Sequence, residues 1–203
     1  MAVGKRSAAA QRAWICFEDE AGQTLRPPKA RTWARRGHTP VVTVTGKGSG
    51  RVSIAGLLCL KAGHRGRLMF RTLTHRGRKG EPSSFTEADY IALLDTAHQR
   101  LDAPIVLVWD NLNTHVSKAM RDFINGRDWL TAIRLPAYAP DLNPTEGVWS
   151  NLKRGIANLT AHGVDHLART VKRRLRQIQN QPDLAAGFLA QTGMTLEPEL
   201  PRT

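Results

Sequence analysis

Pro104-Ile105-Val106-Leu107-Val108-Trp109-Asp110 decides the fold. Five apolar residues without alternation, opened by Pro and closed by Asp, form the pattern of a strand buried on both faces, with helices packed on the sheet. Before it, Ser84-Phe85-Thr86-Glu87 has the capping-box pattern, and Ile91, Leu94, His98 and Leu101 follow at helical spacing. After it, a short helix over Ser117 to Ile124 leads through Asn125-Gly126 to a strand over Ala132–Leu135. A second βα step is thereby implied.

Upstream, the sequence reads as strands: Trp14–Asp19, Thr32–Ala34, Val41–Val44, Arg51–Leu60 and Leu68–Leu73. Turn-formers separate them, notably Pro27-Pro28, Gly46 to Gly50 and Gly63 to Gly66. Downstream, Asn143-Pro144 supplies an N-cap and a proline at the first helical position, for a helix to about Asn158. A last helix over Val164–Gln179 places Val164, Leu167, Ala168, Val171, Leu175 and Ile178 on one face, with Arg169, Lys172, Arg173 and Arg176 elsewhere. That basic face is open to two readings, a solvated surface or a track for a DNA backbone. The order predicts an α/β fold: a mixed sheet whose antiparallel hairpins are followed by βα units. The expected organisation is a flexible basic lead-in over residues 1–12, one domain over 13–180, and a loosely packed tail over 181–203.

The chain has 203 residues, 30 Lys and Arg against 17 Asp and Glu, and a formal net charge of +13. An apolar content of 41% suits one domain with a real core. The longest strongly apolar run, Ile54 to Leu60, is far below the roughly 18 residues of a membrane helix, and Met1–Ala10 lacks an apolar signal segment. The expectation is a protein that neither spans a membrane nor is exported. Cys16 and Cys59 are too few for a disulfide framework and read as buried thiols of a reducing cytosol. Residues 1–80 hold 17 Lys and Arg but only three acids, the consecutive Glu18-Asp19-Glu20. Such a positive field attracts phosphate backbones, so nucleic acid is the first partner to consider.

Three acids stand at the ends or starts of elements: Asp19 after the first strand, Asp110 after the buried strand, and Glu146 in the first turn of the third helix. Acids that end neighbouring strands, with another from an adjacent helix, can share a site whose hard oxygen ligands favour Mg²⁺ or Mn²⁺. Two such ions about 3.5–4 Å apart suit phosphodiester cleavage or strand transfer.

Phe17-Glu18-Asp19-Glu20, Val108-Trp109-Asp110-Asn111 with His115, and Leu135-Pro136-Ala137-Tyr138-Ala139-Pro140-Asp141-Leu142-Asn143-Pro144-Thr145-Glu146 with Trp149 carry a resemblance. They resemble the DDE catalytic domain of bacterial transposases of the insertion-sequence 630 type, within the Tc1/mariner superfamily, over about Trp14 to Gln179. The long final segment is the specific one. The resemblance implies an RNase H-like fold and Asp19, Asp110 and Glu146 as catalytic acids and metal ligands. It further implies cleavage of transposon ends with Mg²⁺ or Mn²⁺ and strand transfer into target DNA, commonly at TA dinucleotides, without a covalent protein–DNA intermediate. It also implies a homo-oligomer on DNA, and a cytoplasmic, nucleoid-associated setting in bacteria. Family members carry an N-terminal helix-turn-helix region, whereas here the first catalytic strand comes almost at once. Either a separate helix-turn-helix polypeptide supplies end recognition, or the chain is an excised catalytic part, or it is a truncated relic. Two other readings are a non-catalytic DNA-binding subunit and an RNase H-like nuclease without strand transfer.

Each candidate has a structural rival. Asp19 reads also as a turn residue, with Glu20 as its local competitor, and Asp110 before Asn111 as an Asx turn. Glu146 completes a capping box with Asn143. On the third helix Val148, Leu152, Ile156 and Leu159 share one face, whereas Glu146, Ser150, Lys153 and Ala157 share another. Lys153 looks like the DNA-contacting lysine that follows the glutamate in related enzymes, or is a plain solvent lysine. Trp149 is expected in the core. His115 and Asn111 are expected behind the acids, with His115 orienting Asn111, meeting a phosphate, or filling a structural role. His162 and His166 read as incidental to a helix start, and neither a structural zinc nor a nucleotide cofactor is expected.

Overall fold

The structure is a computed structural model that describes residues 12–31, 33–39, 41, 50–136 and 139–196. Among these residues the five strands are β1 (Trp14–Thr24), β2 (Arg51–Leu60), β3 (Arg67–His75), β4 (Ile105–Trp109) and β5 (Leu130–Arg134). The helices are α1 (Glu87–Leu101), α2 (Lys118–Asn125), α3 (Thr145–Gly155), α4 (Val164–Gln179) and α5 (Asp183–Gln191). The strands lie in the order β3-β2-β1-β4-β5; β1, β2 and β3 pair antiparallel, whereas β4 is parallel to both β1 and β5.

Strand alternation separates two cores. From β1, Trp14 and Cys16 join Leu57, Ile105, Leu107 and Trp109 against α1 and α2. Ile15 and Phe17 join Ile54, Val106 and Val108 against α3, α4 and α5. Every residue of β4 is buried, as its unbroken apolar run requires. Cys16 and Cys59 are free, buried and opposite one another across β1 and β2.

Several local expectations change. β1 continues five residues past Asp19, because its ladder with β2 persists to Thr24–Arg51 after its pairing with β4 ends at Phe17–Val108. Asp19 thus lies within a strand, at the point where β1 leaves β4. Trp33 and Ala34 are not in a strand, and Trp33 is fully exposed. Val41 is likewise outside any strand, and the rest of Val41–Val44 lies outside the described residues, as do residues 1–11 of the lead-in.

α1 starts two residues later than the Ser84–Glu87 box suggests. The Asp89 carboxylate accepts the Thr86 N–H at 3.0 Å and its hydroxyl at 2.9 Å, while buried Phe85 packs edge-on against Tyr90. That aromatic pair is a hydrophobic staple across the cap. α3 ends at Gly155 rather than Asn158, since Asn158 adopts φ +58° and its amide bonds both the N–H and the carbonyl of Ala30. The expectation of a loosely packed tail is wrong for 183–191: α5 inserts Ala185, Phe188 and Leu189 into the α3–α4 core, with Phe188 lying over Gly147.

Candidate active site

Asp19 and Asp110 both stand just past the point where β1 and β4 part, close enough for the charge of Asp110 to raise the pKa of Asp19. The parallel pairing of these strands ends at Phe17–Val108, so the two acids follow it by two residues each. α3 is stitched to the same place. Asn143 Nδ2 donates to the Glu18 carbonyl at 3.1 Å, and Thr145 Oγ1 donates to the Phe17 carbonyl at 3.0 Å. Asn143 Oδ1 accepts the Thr145 N–H at 3.1 Å, which sets the turn into the helix. The Asn-Pro-Thr-Glu sequence therefore fixes Glu146 relative to Asp19 through backbone it grips on β1. The Asn143 N–H donates instead to the Pro140 carbonyl at 2.8 Å, so the capping-box role is not the one Glu146 plays, and its side chain is exposed.

Trp149, one turn after Glu146, is buried as expected and also carries a polar contact. Its Nε1 donates to Asp19 Oδ2 at 2.9 Å. Gly56, paired with Asp19 across the ladder, makes room for the indole: a Cβ there would come within 2.5 Å of the ring. Burial raises the Asp19 pKa to about 7; the Trp149 hydrogen bond opposes this, while the charges of Glu146 and Asp110 push the same way. Burial and then Asp110 also raise Glu20.

On the other face of β1, Glu18 is buried. Its Oε2 lies 3.3 Å from His115 Nε2, and His115 Nδ1 lies 2.9 Å from Asp110 Oδ1. The imidazole is stacked on Trp109 with centroids 4.2 Å apart and stands edge-on to Tyr90 at 4.8 Å. Burial lowers the His115 pKa, against the pull of Asp110. Burial, then the neighbouring Asp19, Glu20 and Asp110, raise Glu18 well above the usual carboxylate range. Both shifts favour neutral groups: a protonated Glu18 facing Nε2, and a neutral imidazole whose Nδ1–H donates to Asp110 Oδ1. His115 thus touches Asp110 rather than Asn111, and its burial keeps it from a phosphate. Asp110 Oδ1 also accepts the Leu112 N–H at 3.0 Å. Asn111 Nδ2 donates to the Leu135 carbonyl at 3.2 Å and so ties the loop after β4 to the end of β5.

Sequence reasoning misses Glu18, Gly56 and the polar contact of Trp149. Two signals were present: Glu18 falls on the opposite alternation face from Asp19, and a lone glycine inside an apolar strand marks a close approach. Lys153 is exposed on α3, two turns beyond Glu146.

Asp19, Asp110 and Glu146 do not form a ready-made ligand cluster, and among the described residues no three Asp, Glu, His or Cys side chains do. Asp19 is turned to Trp149 and Asp110 to His115. The donor set nonetheless suits a hard cation. Two carboxylates raise the pKa of a third, and among the described residues none of the three has a Lys or Arg partner.

Residues 14–168 match the model of a family described as DDE superfamily endonuclease. The chain belongs to this superfamily. The fold of this DDE endonuclease domain matches solved structures of the Mos1 mariner transposase. With the Mos1 paired-end complex with left transposon end, the TM-score is 0.59 at 15% identity, over 97% of this chain and 60% of that one. With the Mos1 strand transfer complex it is 0.58 at 16%, over 97% and 59%. With the catalytic domain of Mos1 alone it is 0.52 at 16%, over 97% and 89%. The DDE domain therefore spans about 60% of the length of the longer Mos1 chains, and its mixed sheet with packed helices is the RNase H-like fold of their catalytic part. Comparison with curated proteins finds no match. No helix of the described residues is long and apolar enough to cross a membrane.

Proposed function

We propose that this domain is the catalytic part of an insertion-sequence 630 or Tc1/mariner type transposase, which hydrolyses phosphodiesters at transposon ends and joins them to target DNA. The observation that carries the reading is the junction of β1, β4 and α3. Asp19 and Asp110 each follow the last β1–β4 pair by two residues, and Asn143 and Thr145 bind the third acid's helix to the same stretch of β1.

Asp19, Asp110 and Glu146 are the residues that hold Mg²⁺ or Mn²⁺ in this reading. When bound, such ions supply charge stabilisation for the attacking and leaving oxygens of an in-line displacement. The chain's own residues prepare that chemistry. Trp149 orients Asp19, His115 orients Asp110, and Glu18 sets the tautomer of His115. Asn111 fixes the loop that follows Asp110. Lys153 meets a DNA phosphate on the Glu146 face of α3. Solved Mos1 structures include paired-end complexes with Mn and with Mg, which supports the divalent-ion part of the reading.

The partners in this reading are transposon-end and target DNA and further copies of the chain. The setting is the bacterial nucleoid in the cytoplasm.

The test is cleavage and joining of labelled DNA that carries the terminal sequences flanking the protein's own coding region, with Mg²⁺ or Mn²⁺. Cleaved and joined products from the wild type, absent with Asp110→Ala, are the expected result. Equal products from both proteins overturn the assignment of Asp110. Cleavage without joining favours a nuclease without strand transfer.

A further inference from the structure

The outward face of α4 is a strongly charged surface that the proposed chemistry does not use. Leu167, Ala168, Val171, Leu175 and Ile178 turn one sector of the helix into the core. At 100° per residue Arg169, Lys172, Arg173 and Arg176 fall in the opposite sector, and all four are exposed. Their rise of 1.5 Å per residue sets them within about 10 Å along the axis.

A helix face kept only for solubility interleaves acids with bases at four-residue spacing. Here Arg169–Arg173 and Lys172–Arg176 are both like-charged pairs at that spacing, an arrangement that destabilises an isolated helix. The acid of α4, Asp165, is held by Arg76 at 2.7 Å. Among the described residues none of the four cations has a carboxylate partner.

The face has a direction. Gln179 Nε2 donates to the Leu68 carbonyl at the start of β3, and Arg76 follows directly after β3, so α4 runs antiparallel to that strand. His75 pairs with Arg51, and Arg51 with Thr24. The first turn of α4 therefore lies at the end of the sheet towards which β1 runs beyond Asp19. Past Arg76 the turn carries exposed Arg78 and Lys79, and its shape is set by the Glu81 carboxylate, which accepts the N–H of Arg76 at 2.7 Å and of Arg78 at 3.2 Å. A line of cations thus runs along α4 from near the level of Asp19, whose row across the sheet is Gly56 and Phe70, to the end of the sheet beyond it.

We propose that this line, Arg176, Arg173, Lys172 and Arg169 continued by Arg78 and Lys79, is a track for the phosphodiester backbone of duplex DNA. The inference rests on the reading of the domain as a DNA-acting enzyme and names where the duplex lies. Duplex DNA carries one charge per about 1.7 Å of axis, so a face of this length meets several phosphates at once.

The test measures binding of a mixed-sequence duplex to the full chain in EDTA, across a salt series, and so does not depend on cleavage. Lys172→Ala/Arg173→Ala is expected to reduce the slope of log K against log salt by about 1–2, at about 0.9 per phosphate contact, and to weaken binding alike for all sequences. Lys118→Ala/Arg121→Ala removes the same charge from α2, across the sheet, and is expected to leave the slope unchanged. Equal slopes for both variants, or no duplex binding by the wild type at low salt, overturn the track. A variant that fails to fold is excluded by its melting temperature, which removal of like-charged neighbours leaves unchanged or raises. Loss of cleavage activity with the salt slopes as expected would count against the transposase reading alone.

Discussion

Trp149 Nε1 donates to Asp19 Oδ2 at 2.9 Å across 130 residues of sequence. The indole reaches the carboxylate because Gly56, opposite Asp19 on β2, has no side chain in its way. One strand thus supplies the acid, its neighbour the empty space, and α3 the donor. The bond stabilises the ionised form of a group that burial drives towards its neutral form. It therefore favours the state that binds a cation.

Trp149→Phe keeps an aromatic ring in the core and deletes the donor. A hydrogen bond to a charged group contributes about 1.5–3 kcal/mol, and a pKa unit corresponds to about 1.4 kcal/mol. The acidic limb of the rate-against-pH profile is expected to move up by about one unit, and half-saturation to require more Mg²⁺. An unchanged profile would show that Asp19 does not depend on the indole.

Gly56→Val tests the space itself. The new Cβ falls 2.5 Å from the Trp149 ring, in a packed core with a large rigid neighbour. Overpacking of this kind costs about 1–3 kcal/mol, and urea unfolding is expected to show a loss in that range with the m-value unchanged. Gly22→Val, on the same ladder but with open space around its Cβ, is expected to cost less. Equal losses at the two positions would mean that backbone freedom, not the indole, sets the cost.

The architecture was legible because β4 is a continuous apolar run while α4 has a one-sided stripe, and both elements are observed where those patterns place them. Composition could not reveal α5. Leu184-Ala185-Ala186-Gly187-Phe188 reads as weakly apolar, and only the gap beside Gly147 and the sheet makes Phe188 a core residue. Asp19 reads as a strand end because acids punctuate sequences, but a two-stranded ladder tolerates them once one partner strand has stopped. Glu18 illustrates the opposite limit. Nothing local distinguishes it from Glu20, and its burial follows from His115, held between Trp109 and Tyr90 far along the chain.

The Glu18–His115–Asp110 chain gives a third prediction. His115→Ala deletes the group that orients Asp110, and loss of such support typically costs about 10–100-fold in metal affinity. Mg²⁺ titration of the cleavage rate is expected to show a shift of that size. Glu18→Gln retains a donor towards Nε2 without an ionisable carboxyl, so it is expected to preserve Mg²⁺ affinity. A glutamine variant that loses affinity as severely as His115→Ala would show that an ionised Glu18, not the neutral carboxyl described above, supports His115.

Asp19 also ties stability to pH, with a sign opposite to that of most surface carboxylates. Its pKa of about 7 in the fold stands above the usual 3.8, so between these values the unfolded chain gives up its proton before the folded one does. The stabilising contribution is complete below about pH 4 and is lost as pH rises through about 7; Glu18 and Glu20, also raised, act in the same direction. Glu81 and Asp89, whose pKa values are lowered, act the other way and only in the acid range. The difference in melting temperature between wild type and Asp19→Asn isolates the contribution of Asp19. Relative to the variant, the metal-free wild type is expected to lose stability steadily from about pH 4 to 8. Mg²⁺ competes with the proton for the same oxygens, so it is expected to raise the wild-type melting temperature more at about pH 8 than at about pH 5, with little effect on Asp19→Asn. A difference curve that is flat with pH, or a Mg²⁺ effect equal in both proteins, would show that Asp19 is neither the buried acid nor the cation ligand described above.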